Sequence, residues 1–368
     1  MRIAFEATAL LDTPTGVGAF VRETLSRLAT RDDLDITAFA FTRIYLDQLA
    51  AAVPPNVEVT ERPIPARLTR KAWLASDWPK IERWTGPIDI VHGPNYVVPP
   101  ARAAVELVSV HDLTPVHFPE MCDANTIQFP RLIRRALARG AHVHTISQSV
   151  ANEVMDVFSV EPARVHHVAA GFTVPTGGSL ARGRELAGAE RYVLAIGTVE
   201  PRKNLAGLVV AFDQVAEDDD DVRLVLAGGD GWGAHNLDDA LATARHRARI
   251  VRLGRVADEA RADLLAGATA LAYPSRYEGF GLPPLEAMSV GVPVLTTRVG
   301  AIPEVVGDAA LLVEPEADDL ASGLARILND DALRSSLVER GRVRAARYSW
   351  DACAAGLAEV YATIAPRS

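Results

Sequence analysis

The chain has only two cysteines, Cys122 and Cys353, far apart and in no metal-ligand spacing, so it offers neither a disulfide framework nor a zinc site. They read as free thiols of a reducing compartment. No apolar run approaches the ~18 residues needed to cross a bilayer, and Met1-Arg2-Ile3-Ala4-Phe5-Glu6 opens too short a run for a signal peptide. Positive charge is not in excess: 38 Lys and Arg against 47 Asp and Glu leave −9, which argues against nucleic acid or acidic membranes as general partners. Disorder is excluded too, since 49% of residues are hydrophobic and 23% charged. The expectation is a folded cytoplasmic protein, at most peripheral at the inner face of a membrane. At about 150 residues per domain, the length suggests two domains with a core each.

Short apolar runs alternate with amphipathic helical patterns, the mark of parallel sheets with helical crossovers. Strands are expected near 2–8, 35–41, 88–92, 105–110, 141–146 and 164–168, then near 191–197, 222–228, 249–253, 269–273, 292–296 and 310–313. A Gly-rich stretch from Gly171 to Glu190 separates the two sets of six and suits a linker. The implied architecture is α/β, two Rossmann-like doubly wound domains facing a central cleft, with ligands at the carboxyl ends of the strands.

The richest stretch is Tyr273–Thr297, YPSRYEGFGLPPLEAMSVGVPVLTT. An apolar run breaks at Pro274 and enters a loop in which Glu278 precedes Gly279, Phe280 and Gly281, where backbone can approach a ligand closely. Pro283 and Pro284 suit the first turn of a helix that carries Leu285 and Glu286, and Gly291 stops it. Free N–H groups of such a loop can hold an anion while the carboxylates accept from hydroxyls, a description that fits a sugar attached to a phosphate.

A second constellation is Gly197-Thr198-Val199-Glu200-Pro201-Arg202-Lys203-Asn204. Asn204 is expected to cap a helix whose apolar positions Leu205, Leu208, Val209, Phe212 and Val215 mark its buried face. Arg202 and Lys203 then stand between a strand end and a helix N-terminus, a combination suited to a diphosphate. Near the start, Thr13-Pro14-Thr15-Gly16-Val17-Gly18 can open a helix, but Val21 stands where a dinucleotide fingerprint has its third glycine. A dehydrogenase is therefore disfavoured. His111-Asp112 follows a strand and is placed to meet a ligand, with an Asp-capped turn as the structural alternative. Residues 65–84 combine Trp73, Trp78 and Trp84 with five cations and two anions, a net +3, as a membrane-surface helix would, or as tryptophans packed beneath a solvated face would. Arg131, Arg134, Arg135 and Arg139 form one solvated helical face, with an acceptor-phosphate patch as the alternative. The acidic run Glu217–Asp221 lies at the wrong end of a strand for a cleft and reads as a solvated turn, not a metal site.

Glu278, seven residues, then Glu286 around EGFGLPPLEAM, together with GTVEPRKN, resembles the signature of glycosyltransferase family 4, whose members have the GT-B fold. The resemblance runs over nearly the whole chain. It implies domains at 1–172, completed by a returning helix at 350–368, and at 173–349. It implies retaining transfer of a sugar from a nucleotide-diphosphate donor, with no cofactor and no metal. Arg202 and Lys203 would hold the diphosphate. Glu278, with the loop Gly279, Phe280, Gly281 and Leu282, would hold the sugar, and Glu286 the ribose diol. Gly228 and Leu253 would line the base slot. Gly16 and Gly18 would face the donor phosphates or the acceptor. His111 would contact the donor sugar, and Asn95, Tyr96 and Asp112 the acceptor side. Members similar in GTVEPRKN suggest mannose from a guanine nucleotide, passed to a glycan, lipid-linked or small-molecule acceptor, with 65–84 available for peripheral membrane contact. A sugar-nucleotide epimerase of the same fold and a non-catalytic nucleotide-sugar sensor are the alternatives.

Overall fold

Runs rich in Val, Ile, Leu and Ala, buried on both faces, become the strands of two wholly parallel sheets, as parallel sheets covered by helices require. The structure is a computed structural model that describes residues 1–366 apart from 12–14, 43–44 and 232–233. The chain divides into two compact units, Met1–Gly171 with the segment from Tyr348 onward, and Phe172–Arg347.

In the first unit the strands are β1 (Arg2–Glu6), β2 (Asp35–Phe39), β3 (Glu58–Val59), β4 (Ile90–Gly93), β5 (Val105–Val110), β6 (His142–Thr145) and β7 (Val165–His167), in the order β3-β2-β1-β4-β5-β6-β7. Six strands were expected here, and the seventh is β3, a two-residue edge strand too short to leave a periodic signal. The second unit has β8 (Arg191–Ile196), β9 (Val222–Ala227), β10 (Ile250–Gly254), β11 (Ala270–Tyr273), β12 (Val294–Thr297) and β13 (Leu311–Val313), ordered β10-β9-β8-β11-β12-β13. Each order reverses direction once, between β1 and β4 and between β8 and β11, and such switch points open a crevice at the carboxyl ends of the strands.

The Gly171–Glu190 stretch is not simply a linker. Its second half is a helix, Leu180–Ala187, fastened to helix Asp258–Gly267 of the second unit. Glycine serves close packing here, for a Cβ on Gly183 would lie 2.0 Å from the Asp263 carbonyl oxygen. Asp263 adds a carboxylate that accepts from the Ser179 N–H at 2.7 Å.

The last helix, Trp350–Ile364, packs on helix Gly16–Leu28 of the first unit. Beneath it runs a buried chain of bonds with one consistent direction. The Tyr361 hydroxyl donates to His92 Nδ1 at 2.6 Å, and His92 Nε2 donates to Ser109 Oγ at 2.8 Å. Ser109 donates to His144 Nδ1 at 2.8 Å, and His144 Nε2 ends the chain on the Val168 carbonyl at 3.1 Å. The terminal carbonyl can only accept, which fixes every proton before it. Burial holds the His92 imidazole well below its usual range and His144 at about 3, so both rings stay neutral.

The tryptophans of 65–84 divide between both readings. Trp73 is buried, its Nε1 donating to the Pro79 carbonyl at 3.0 Å, and Trp84 packs against the core, whereas Trp78 is 66% exposed. The arginines of helix Phe129–Ala138 and its end are largely engaged within the unit: Arg135 pairs with Asp77, Arg139 with Glu106 and Asp77, and Arg134 lies over the Phe158 ring. Arg131 and Arg134 remain exposed on this face. The acidic run precedes β9 and pairs with Arg245, Arg191 and Arg249. Among the described residues no three His, Cys, Asp or Glu side chains converge as a metal site, and no helix is long and apolar enough to cross a membrane.

Candidate active site

Two loops meet at the switch point of the second sheet because β8 and β11 are neighbours. The loop after β8 narrows into a short 3-10 turn, Pro201–Lys203, and passes through Asn204 into helix Leu205–Val215. All five apolar positions expected to be buried on that helix are buried. Asn204 stands at the N-cap position, yet its side chain does not bond a helix N–H. It adopts the left-handed conformation at φ 53°, which asparagine tolerates better than most residues. Its amide donates to the Pro315 carbonyl at 2.9 Å and accepts from Arg276 Nε at 3.2 Å. The expected side-chain cap is therefore replaced by a brace between loops, strengthened where the Arg276 N–H donates to the Arg202 carbonyl at 2.8 Å.

The loop after β11 delivers Glu278. A Cβ on Gly300, at φ +48°, would lie 2.3 Å from the Glu278 carbonyl oxygen, and the Ala301 N–H donates to that oxygen at 2.9 Å. Glycine at 300 thus lets a neighbouring loop close against the backbone of Glu278. Gly281, at φ +118°, turns the chain into helix Leu282–Ser289. The N–H groups of Gly279 and Gly281 have no partner among the described residues.

Arg202, Lys203 and Glu278 form one cluster. Arg202 Nη1 donates to Glu278 Oε2 at 2.6 Å and to the Tyr277 carbonyl at 2.9 Å. Lys203 Nζ donates to Glu278 Oε1 at 2.6 Å and to Tyr273 Oη at 2.7 Å, and it lies 4.8 Å from the Tyr273 ring centroid. Ser275 Oγ donates to Glu278 Oε1 at 2.6 Å. A carboxylate has about four acceptor positions. Described donors take three of them, Arg202, Lys203 and Ser275. Burial would raise the Glu278 carboxyl, but Lys203 and Arg202 draw it down to about 2. Burial lowers the Lys203 ammonium while Glu278 opposes the fall, and burial drives the Tyr273 hydroxyl well above its usual range. The site holds two cations against Glu278 and a second carboxylate at its margin, Glu200, whose Oε2 lies 3.5 Å from Arg202 Nη2.

Glu286 is buried on helix Leu282–Ser289 and pairs with Arg261. Burial raises its carboxyl and Arg261 opposes the rise. Gly228 follows β9 so closely packed that a Cβ would lie 1.8 Å from the Gly197 carbonyl oxygen, and its N–H donates to the Gly254 carbonyl at 2.8 Å. Leu253, near the end of β10, is partly buried. The structure thus gathers the second unit's expected residues, including the buried Phe280, along the carboxyl edge of one sheet.

The first unit's expected residues fare differently. Gly16 opens helix Gly16–Leu28, but the N–H of Gly18 is taken by the Thr15 side chain at 3.1 Å, so it cannot serve an anion as it stands. Thr13 and Pro14 lie outside the described residues. Asn95 is partly buried in the turn after β4. Tyr96 and Asp112 take part in building their own loop. The Tyr96 ring stacks on Phe129 and its hydroxyl accepts from the Asp112 N–H at 3.0 Å. Asp112 Oδ1 accepts from the Thr114 N–H at 2.9 Å, the turn-capping alternative. His111 is buried, and its Nε2 donates to the Pro94 carbonyl at 2.7 Å. Burial lowers its pKa, which leaves a neutral ring with an acceptor at Nδ1.

Sequence reasoning passed over Tyr273, Ser275, Arg261 and Gly300. Tyr273 and Ser275 flank the strand-ending Pro274, so a polar side chain at a strand end was a usable signal. Arg261 precedes Glu286 by 25 positions, and only the packing brings the two together.

Two family models match consecutive parts of the chain: Glycosyltransferase Family 4 over residues 14–173 and Glycosyl transferases group 1 over 181–344. The O-antigen chain mannosyltransferase B of Escherichia coli is 29% identical, over 96% of this chain and 97% of its own length. The O-antigen chain mannosyltransferase RfbU of Salmonella typhimurium is 25% identical, over 88% and 89%. Among solved structures, sucrose-phosphate synthase from Thermosynechococcus elongatus superposes with a TM-score of 0.77 at 21% identity, over 99% of this chain and 98% of that one.

Proposed function

Because the chain belongs to family 4 of the glycosyltransferases, we propose that it moves mannose from GDP-mannose, with retention, to a hydroxyl of a glycan, lipid-linked or small-molecule acceptor. The observation that carries the reading is the cluster of Arg202, Lys203 and Glu278 at the switch point of the second sheet. The mannosyl part rests on the two O-antigen mannosyltransferases it resembles along most of its length.

Arg202 and Lys203 hold the diphosphate and stabilise the charge that grows on it as the bond to the sugar breaks. Glu278 keeps both cations aimed while the site is empty and offers an acceptor to a sugar hydroxyl. Gly279 and Gly281 supply N–H donors beside it, and Glu286, anchored by Arg261, accepts from the ribose diol. His111 Nδ1 accepts from a donor hydroxyl. The donor phosphate takes the acceptor proton. Peripheral membrane contact through 65–84 would give access to a lipid-borne acceptor.

The test is nucleotide release from a panel of nucleotide sugars, with GDP-mannose expected to turn over fastest. Preference for another donor would overturn the mannosyl assignment. With two cations carrying the charge, excess EDTA is expected to leave the rate unchanged, and loss of activity in chelator would contradict that part of the reading.

A further inference from the structure

Helix Ala66–Trp73 is anchored on its inner side by buried Thr69 and Trp73. Its outer side borders a pocket of about 380 Å³ lined by Arg67, Arg70, Lys71 and Leu74, and closed by Asn125 and Gln128 from a separate segment. None of the three cations is ion-paired with a described carboxylate. Asp123, whose carboxylate feels the charge of Arg70, accepts from the N–H groups of Asn125 and Thr126, both at 2.8 Å. Unpaired positive charge is therefore concentrated here in a chain whose net charge is −9.

Apolar side chains adjoin the pocket in sequence. Leu68, next to Arg67, is 60% exposed, and Ile127, between Asn125 and Gln128, is 48% exposed. Trp78 follows the same helix and is also exposed. A soluble anion would satisfy the cations and leave these side chains in water. A lipid surface satisfies both, because its phosphates meet Lys and Arg while its interface takes up Leu, Ile and Trp.

We infer that Arg67, Arg70, Lys71, Asn125 and Gln128 form a binding site for the phosphate of an anionic phospholipid, with Leu68, Ile127 and Trp78 entering the interface. The inference rests on the proposed lipid-borne acceptor for its purpose, whereas its test needs neither donor nor acceptor, so the two fail in different assays.

Flotation of the full chain with phosphatidylcholine vesicles, with and without phosphatidylglycerol, tests it. Binding is expected only with phosphatidylglycerol and is expected to weaken in high salt. At about 1 kcal/mol per basic residue near such a surface, Arg70→Glu with Lys71→Glu should lower vesicle affinity by at least about tenfold, while nucleotide release from donor is unchanged. Leu68→Ser with Ile127→Ser should weaken binding in phosphatidylglycerol without creating it elsewhere. Equal flotation with both vesicle types, or an unaffected Arg70→Glu, Lys71→Glu variant, overturns the inference. Saturable binding of inorganic phosphate without vesicle binding overturns it as well, in favour of a soluble anion.

Discussion

Lys203→Ala is expected to lower turnover by about 10²-fold or more, the usual cost of removing a buried charge aimed at a developing anion. The amine stands at a strand end, fixed by Glu278 and by Tyr273 Oη, and no other described lysine shares the cluster. Alanine leaves Arg202 and Ser275 on Glu278, so the carboxylate keeps two of its three donors and the fold is expected to survive. The measurement is kcat and donor KM at saturating acceptor, with a melting curve alongside. A variant that melts earlier but turns over normally would make Lys203 a structural partner of Glu278 and nothing more.

Glu278→Gln has the second large effect, with a different signature. The carboxylate competes with a bound diphosphate for Arg202 and Lys203, yet it also positions them and presents an acceptor to the sugar. The amide is therefore expected to keep or improve affinity for a nucleoside diphosphate while turnover falls by about 10²-fold. Calorimetric binding of GDP, set against kcat, reads both halves, and parallel loss of the two would contradict this division of roles. Stability separates the variant further. A carboxyl held at about 2, against an ordinary 4.5, stabilises the fold fully above the unfolded value and loses that contribution as pH falls toward the folded one. The span corresponds to about 3 kcal/mol in the wild type, absent from the amide. The wild type should thus lose stability more steeply than Glu278→Gln between pH 4.5 and 2.

The fold was legible because strand and helix periods are local. Val193, Leu194 and Ala195 announce a buried parallel strand, and the spacing of Leu205, Leu208, Val209, Phe212 and Val215 announces the helix after it. Arg202, Lys203 and Glu278 could be named because each follows a strand end, and sheet order alone decides that such ends meet. What stayed hidden depends on atoms distant in sequence. Nothing near Glu286 marks Arg261 as its partner, and nothing in Gly300 tells that its missing Cβ admits the backbone of Glu278. Tyr96 and Asp112 read as ligand-facing residues because polar groups after a strand often are, and the sequence gives no sign that the Tyr96 hydroxyl accepts from the Asp112 N–H and that Asp112 caps the turn at Thr114. The helix within Gly171–Glu190 escaped notice because its glycines read as flexibility, whereas Gly183 is there for close contact with Asp263.

The proposed function depends most on the diphosphate site at Arg202 and Lys203. Its most direct test is the thermal shift of wild type and Lys203→Ala with GDP, UDP and ADP, each beside its monophosphate. The diphosphates are expected to raise the melting temperature well above the monophosphates, GDP most of all, and Lys203→Ala is expected to lose most of the shift. Equal shifts with mono- and diphosphates, or a full shift in Lys203→Ala, would contradict it.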